Sequence, residues 1–251
     1  MQVDYKKRWS RYLQRDMEFK VYGNKGKPFL MIPCQSGRFY EFEDMHMLDV
    51  YAPYIESGDI QVFTIDSIDS ETLDNNGNPR KRIERHENWI NYLVYEAIPE
   101  FQLINKLANG GNENKFAVCG LSLGSLHAAT LYFRFPDFFD RLLGLSGLYS
   151  NEYYFKDYHD DLTYNNSPEQ FLANINPNHS YIEKYNKGKI ILCVGQGDWE
   201  DVPREYTIRF ANILKSKGIN VWLDVWGKDV KHDWCWWYKQ AEYFIPKLLE
   251  P

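Results

Sequence analysis

The 251-residue chain has no stretch approaching 18 consecutive apolar residues, so no segment reads as a membrane span. It has no block of five or six like charges, and 35 acidic residues outnumber 29 basic ones for a net charge of -6. A nucleic-acid surface or an anionic-membrane surface is not expected, because both depend on concentrated Lys and Arg. The densest basic cluster, Arg80, Lys81, Arg82 and Arg85, lies among Asn and Glu and reads as solvated surface. Cysteine is scarce: Cys34, Cys119, Cys193 and Cys235 are scattered without a CxxC pair or metal-ligand spacing, which points to structural thiols. A Walker A run, a G-x-G-x-x-G after a strand and EF-hand spacing are all missing, so no nucleotide, flavin or metal cofactor is expected. Met1 to Arg8 carry basic side chains with no apolar segment behind them, unlike a secretory signal, and a cytoplasmic protein is expected.

What is present suits a soluble globular domain, with 44% hydrophobic and 25% charged residues. The length suits a single domain over residues 1–251. Short β-rich runs alternate with longer helical patterns, which argues for an α/β fold with a mostly parallel central sheet and helices on both faces. Strands are expected at Met17–Tyr22 and Pro28–Ile32, joined as a hairpin at Gly23–Gly26, and at Ile60–Ile65, Lys115–Cys119, Arg141–Leu145, Lys189–Val194 and Asn220–Val225. Helices are expected over Ile83–Leu107 with a kink at Pro99, and over Ser125–Phe135, Arg204–Lys217 and Trp237–Leu249. Asp74–Pro79 is turn-rich, and residues 149–185 lack periodicity, as an excursion or lid would.

The central motif is Gly120-Leu121-Ser122-Leu123-Gly124, with an apolar strand before it and a helical run after it. G-x-S-x-G places a serine on a sharp strand-to-helix turn, with its Oγ pushed out above the sheet. A serine hydroxyl needs a base, and the chain order Ser, acid, His points to a late histidine. His232 lies directly after the last strand, where such a base belongs, whereas His159 reads as charged loop, His179 as a turn residue and His127 as core. His46 and His86 precede Ser122 and take no role. The acid belongs in Gly195-Gln-Gly-Asp198-Trp-Glu200-Asp201; position alone favours Asp198, and Asp201 suits a helix N-cap. Oxyanion donors are expected from the backbone N–H groups of Leu123 and of Gln35, in the loop after Pro28–Ile32. Asp66, Asp69 and Glu71 read as solvated or structural carboxylates.

These residues, with Phe133-Arg-Phe-Pro-Asp137, Leu145-Ser-Gly147 and Val225 through Trp237, resemble the esterase D / S-formylglutathione hydrolase-like branch of the α/β-hydrolases. That branch includes feruloyl esterases, enterochelin esterases and mycolyltransferases. The resemblance runs from about Lys20 to Leu249, with Ser125 in place of a glycine and Cys235 in place of a proline. It implies a non-ionisable residue at the Asp198 position and so favours Glu200 as the acid, with Asp198 the alternative.

A serine esterase acting on a small-molecule ester through an acyl-enzyme is therefore expected, with activity lost on the acid side as His232 protonates. The alternatives are an acyltransferase with an alcohol or sugar acceptor, and a catalytically silent hydrolase scaffold used for binding. Aromatic residues make up 17% of the chain, concentrated after Tyr149 and at Trp234, Trp236 and Trp237. They are expected to rim one pocket, and those near Trp234 to Tyr238 are compatible with a homodimer contact.

Overall fold

Apolar side chains that repeat in strand register set the first layer of the structure, a computed structural model that describes residues 1–250. Two compact units meet in sequence after Phe116. The first contains strands β1 (Val3–Ser10), β2 (Arg15–Tyr22) and β3 (Lys27–Ile32), helices α1 (Glu41–Asp44) and α2 (Met47–Ser57), strand β4 (Ile60–Ile65), and helices α3 (Pro79–Tyr92) and α4 (Ile98–Ala108).

Its strand order is β1-β2-β4-β3. The expected hairpin between β2 and β3 is therefore absent: β4 lies between them, antiparallel to β2 (Phe19 opposite Ile65) and parallel to β3 (Phe29 opposite Val62). The reason is burial, because every residue of β4 is enclosed, and a strand apolar on both faces is most stable with a neighbour on each edge. Gly23 and Gly26 do turn the chain, at φ +84° and +98°, but they turn it out of β2 and over Asp59. Strand β1 went unrecognised because it is an edge strand, exposed along most of its length and paired only with β2, and the charged run Lys6-Lys7-Arg8 interrupts the alternation of Val3, Tyr5 and Trp9. Phe19, Phe63 and Phe101 gather in the core, Phe63 stacked on Phe101 at 4.9 Å and Phe19 edge-on to Phe101 at 4.8 Å.

The long helix expected over Ile83–Leu107 is broken earlier than Pro99. Five residues, Leu93–Ala97, form a π-turn, and Pro99 sits in the first turn of α4. Proline has no N–H to offer the carbonyl four residues back, at Tyr95, so the irregularity falls in the preceding turn. Asn78 Oδ1 caps α3 by accepting from Lys81 N–H at 3.1 Å. Two members of the basic cluster are tied down rather than freely solvated. Arg82 donates to the carbonyls of Thr72 and Leu73, and Arg85 to Glu71 and the Leu13 carbonyl. Asp66 is likewise buried and structural, accepting from Arg38 Nε at 2.7 Å and Phe39 N–H at 3.0 Å, and Asp69 accepts from Ser36 N–H at 3.0 Å.

The second unit alternates strand and helix: β5 (Phe116–Leu121, entered from the first unit), α5 (Leu123–Arg134), β6 (Phe139–Leu145), β7 (Lys189–Val194), α10 (Asp201–Ser216), β8 (Trp222–Val225) and α11 (Trp234–Leu249). Its strands run in the order β5-β6-β7-β8, with β6, β7 and β8 parallel. Parallel neighbours need crossover connections, and helices supply them. Between β6 and β7 the aperiodic segment folds into four short helices, α6 (Glu152–Phe155), α7 (Asp161–Asn165), α8 (Pro168–Ala173) and α9 (Ser180–Lys187). They were illegible as helices because each is only four to eight residues long, too short for an apolar face to repeat. Asp160 and Thr163 form a reciprocal capping box on α7, and His179 Nδ1 accepts from Tyr181 N–H at the start of α9. Glu169 of α8 pairs at 2.6 Å with Arg209 of α10, which also holds Glu152.

Two predictions come from this packing. A Cβ at Gly26 would lie 2.4 Å from the Asp59 carbonyl carbon in a left-handed backbone. Gly26→Ala should therefore destabilise the protein by about 2–4 kcal/mol, seen as a lower urea midpoint at unchanged slope. Among the thiols Cys235 is exposed, Cys34 is half-buried, and Cys119 and Cys193 are buried. Burial pushes the Cys34 and Cys193 thiols up, away from the reactive thiolate. At pH 8 a disulfide reagent should titrate one thiol quickly and all four only after unfolding, and Cys235→Ser should abolish the fast phase.

Candidate active site

The second unit brings Ser122, His232 and Glu200 together. Ser122 stands between β5 and α5 with φ +54° and ψ -124°, a conformation that costs a non-glycine residue about 1–3 kcal/mol. Surrounding contacts impose it. Ser122 N–H donates to the Leu145 carbonyl at 2.9 Å, and Ser125 N–H donates back to the Ser122 carbonyl at 3.0 Å. The turn is so tight that a Cβ on Gly120 would sit 2.1 Å from the Gly124 oxygen, which explains the first glycine of the motif. Ser125 is accommodated: its Oγ lies 2.8 Å from the Gly120 oxygen and 3.1 Å from that of Leu145. Helix α5 starts at Leu123, two residues earlier than the sequence suggested, so the Leu123 N–H is one of the amides at the helix start with no carbonyl four residues back inside the helix.

His232 lies in the β8–α11 loop with its Nε2 3.0 Å from Ser122 Oγ. Its main-chain N–H donates to the Asp198 carbonyl at 3.0 Å, and the imidazole meets the Trp237 ring edge to face at 4.9 Å and 82°. The side chain is 20% exposed. Asp233, immediately after it, caps α11, which begins at Trp234 rather than Trp237.

The three carboxylates of the β7–α10 loop separate sharply. Glu200 is fully buried, with Oε2 3.7 Å from His232 Nδ1. Asp198 is 67% exposed and paired with Lys231 at 2.6 Å, an ion pair that raises the Lys231 pKa. Asp201 is exposed and pairs with Arg204 at 3.0 Å. Asp201 is the first residue of α10 and not its cap; Glu200 holds the N-cap position, yet its side chain makes no bond to its own helix. The cause of the split is Trp199, whose φ of +67° reverses the backbone between the two acids. The reversal leaves Trp199 itself 86% exposed.

The free oxygen of Glu200 faces His232, while Oε1 accepts from Ser146 Oγ at 2.5 Å. Ser146 directly follows β6 with φ +50°, its N–H donating to the Cys193 carbonyl at 2.8 Å, and its Oγ accepts from Trp237 Nε1 at 3.0 Å. Sequence reasoning missed both residues. Ser146 appeared only as part of a family-like run and Trp237 only as an aromatic, and nothing in their spacing links them to Glu200.

The other expected residues lie elsewhere in the chain's chemistry. Gln35 is an exposed residue of the loop after β3, where Gly37 N–H closes a turn on the Cys34 carbonyl at 2.9 Å. His127 is buried, and His159 is exposed. The aromatic excursion supplies core as much as surface. Tyr149 and Phe155 are buried, Tyr149 stacked on Phe210 at 4.6 Å and 11°, whereas Tyr153 and Tyr164 are exposed. The expectation that these rings together rim one pocket is corrected to that extent, because a flat ring stacked against α10 is worth more inside than in water.

Comparisons with known proteins agree on the architecture. No curated protein matches the chain. Among solved structures, a ferulic acid esterase superposes with a TM-score of 0.77 at 17% identity, covering 99% of this chain and 98% of that one. An S-formylglutathione hydrolase from Agrobacterium tumefaciens gives 0.73 at 12% identity over 98% and 94% of the two chains. A second, from Staphylococcus aureus, gives 0.66 at 12% identity over 99% and 97%. At such identities the likeness is one of fold, the α/β-hydrolase fold expected from the strand-turn-helix context of Ser122. The model of the prolyl oligopeptidase family matches residues 103–247, which include Ser122, Glu200 and His232, and the chain belongs to that family of the α/β-hydrolase superfamily.

Proposed function

We propose that the protein is a serine hydrolase that cleaves carboxylic esters through an acyl-enzyme, with Ser122 as nucleophile, His232 as base and Glu200 as the orienting acid. The observation that carries this is the 3.0 Å approach of His232 Nε2 to Ser122 Oγ, on a serine held in a strained turn at the start of a helix. Glu200 is preferred to Asp198 because its carboxylate lies 3.7 Å from His232 Nδ1 while that of Asp198 is engaged by Lys231.

In the acylation step Ser122 Oγ attacks the ester carbonyl as His232 Nε2 takes its proton. The Leu123 N–H, at the positive end of α5, stabilises the oxyanion. The positive charge on His232 draws the Glu200 carboxylate inward, shortening a separation that exceeds a hydrogen bond in the resting site. His232 then protonates the departing alkoxide. Water, activated by the same imidazole, attacks the acyl-enzyme carbonyl, and Ser122 leaves with the proton returned to it. Binding of the acyl group is the specific task left to the surrounding surface, and small ester substrates are the proposed class. The ferulic acid esterase and the S-formylglutathione hydrolases of the same fold support an ester or thioester carbonyl as the target.

The test measures p-nitrophenyl acetate hydrolysis and labelling by a fluorophosphonate. Ser122→Ala should lose at least about 10³-fold in kcat and all labelling. Glu200→Gln should lose about 10²- to 10⁴-fold, because the wrong histidine tautomer is then favoured, while Asp198→Asn stays within about threefold. Equal rates for wild type and Ser122→Ala, or a fluorophosphonate adduct on another residue, would sink the assignment. Faster cleavage of a prolyl p-nitroanilide than of any ester in an acyl-chain panel would move the substrate class to peptides.

A further inference from the structure

Glu200 is enclosed, and a buried carboxylate is normally met by donors at both oxygens. Here the donors are unequal. Oε1 receives the Ser146 hydroxyl at 2.5 Å, and Oε2 has no hydrogen-bond partner and faces His232 Nδ1. The direction of the Ser146 proton is determined by chemistry. An indole Nε1–H can only donate, so at 3.0 Å it occupies a lone pair of Ser146 Oγ, and the single hydroxyl proton is left for Glu200. The same indole ring braces the face-to-edge contact with His232 at 4.9 Å. Trp237 thus touches both partners of the acid–base pair, one through its ring and one through Ser146.

Backbone restraints hold this chain in place. Ser146 is held at φ +50° by its N–H bond to Cys193 on the neighbouring strand, and Trp237 lies in the first turn of α11, four residues after the Asp233 cap that follows His232. A serine at the buried end of a strand, in a backbone conformation that favours glycine, is not selected by packing or propensity. The hydroxyl explains its presence.

We propose that Ser146 and Trp237 act in series as positioning residues for the triad: Trp237 directs the Ser146 hydroxyl, and Ser146 pins one oxygen of Glu200 so that the other is presented to His232. This rests on the Ser122–His232–Glu200 assignment above. Neither residue is required to meet substrate, so their loss should appear in the chemical step and not in binding.

The experiment is a double-mutant cycle on p-nitrophenyl ester hydrolysis, with thermal unfolding as the control for folding and fluorophosphonate labelling as a report on Ser122. Ser146→Ala should lower kcat by about 10- to 100-fold with KM within about twofold. Trp237→Phe, which keeps a ring beside His232 and removes the donor, should lower kcat by about three- to tenfold. The double variant should be no slower than Ser146→Ala within about twofold, because the indole reaches the carboxylate only through the hydroxyl. Multiplying losses, an effect carried by KM, or a wild-type kcat in Ser146→Ala would overturn the proposal. Should Ser146→Ala not fold, Ser146→Gly, suited to the positive φ, carries the same expectation. The two levels separate cleanly. If wild type is labelled at Ser122 and Ser122→Ala is inactive, these outcomes bear on the positioning pair alone; if Ser122→Ala retains activity, the triad assignment falls and the pair falls with it.

Discussion

A carboxylate with no exposure to water depends entirely on what the protein provides in its place, and that constraint organises the second unit. Removing such a charge from solvent costs several kcal/mol even after relaxation. Glu200 offsets the cost with one short bond from Ser146 and the proximity of the His232 imidazole. The consequence reaches three loops at once, since the end of β6, the β7–α10 connection and the start of α11 must each deliver one group to within hydrogen-bonding range. Trp199 is the hinge of the arrangement. Its positive φ sends two carboxylates two residues apart into opposite surroundings, Asp198 to solvent and Lys231, Glu200 to the interior.

The serine end of the site follows a different logic, steric instead of electrostatic. Gly120 and Gly147 admit the backbone and side chain of the elbow at distances no Cβ would tolerate, 2.1 Å to the Gly124 oxygen and 2.5 Å to Ser125 Cβ. Ser125 adds a buried hydroxyl whose Oγ lies within hydrogen-bonding distance of the Gly120 and Leu145 carbonyls. Strain at Ser122 is thereby stored locally and balanced by hydrogen bonds to Leu145 and from Ser125. The strained turn and the buried acid are joined through a single side chain, His232, which is why the loop holding it is tied to the Asp198 carbonyl.

Much of this was legible from residue order. G-x-S-x-G between an apolar strand and a helical run locates the elbow because the geometry is encoded within five residues, and a histidine after the last strand follows from chain order. Strand identity was legible where strands are fully apolar, as in β4, β5 and β7. Pairing was not. β2 and β3 lie on either side of a turn that looks like a hairpin, yet β4, some thirty residues on, lies between them, because burial on both edges of an apolar strand outweighs proximity in the chain. The short helices after Tyr149 escaped for a different reason: at four to eight residues each, they are too short for an apolar face to repeat.

Sequence by itself singled out Ser122 and His232 as the candidates for attack and proton transfer, and narrowed the candidate acid to the four-residue stretch from Asp198 to Asp201. It also determined the α/β class, since these depend on local spacing and on the alternation of apolar runs. Only the tertiary structure separated Glu200 from Asp198 by burial and by distance to His232, joined Ser146 and Trp237 to the acid, and divided the aromatic excess between core rings such as Tyr149 and exposed ones such as Trp199. The physical reason is that charge burial and hydroxyl orientation are properties of neighbours brought together from distant parts of the chain, here Ser146, Glu200 and Trp237, and no spacing within the sequence records them.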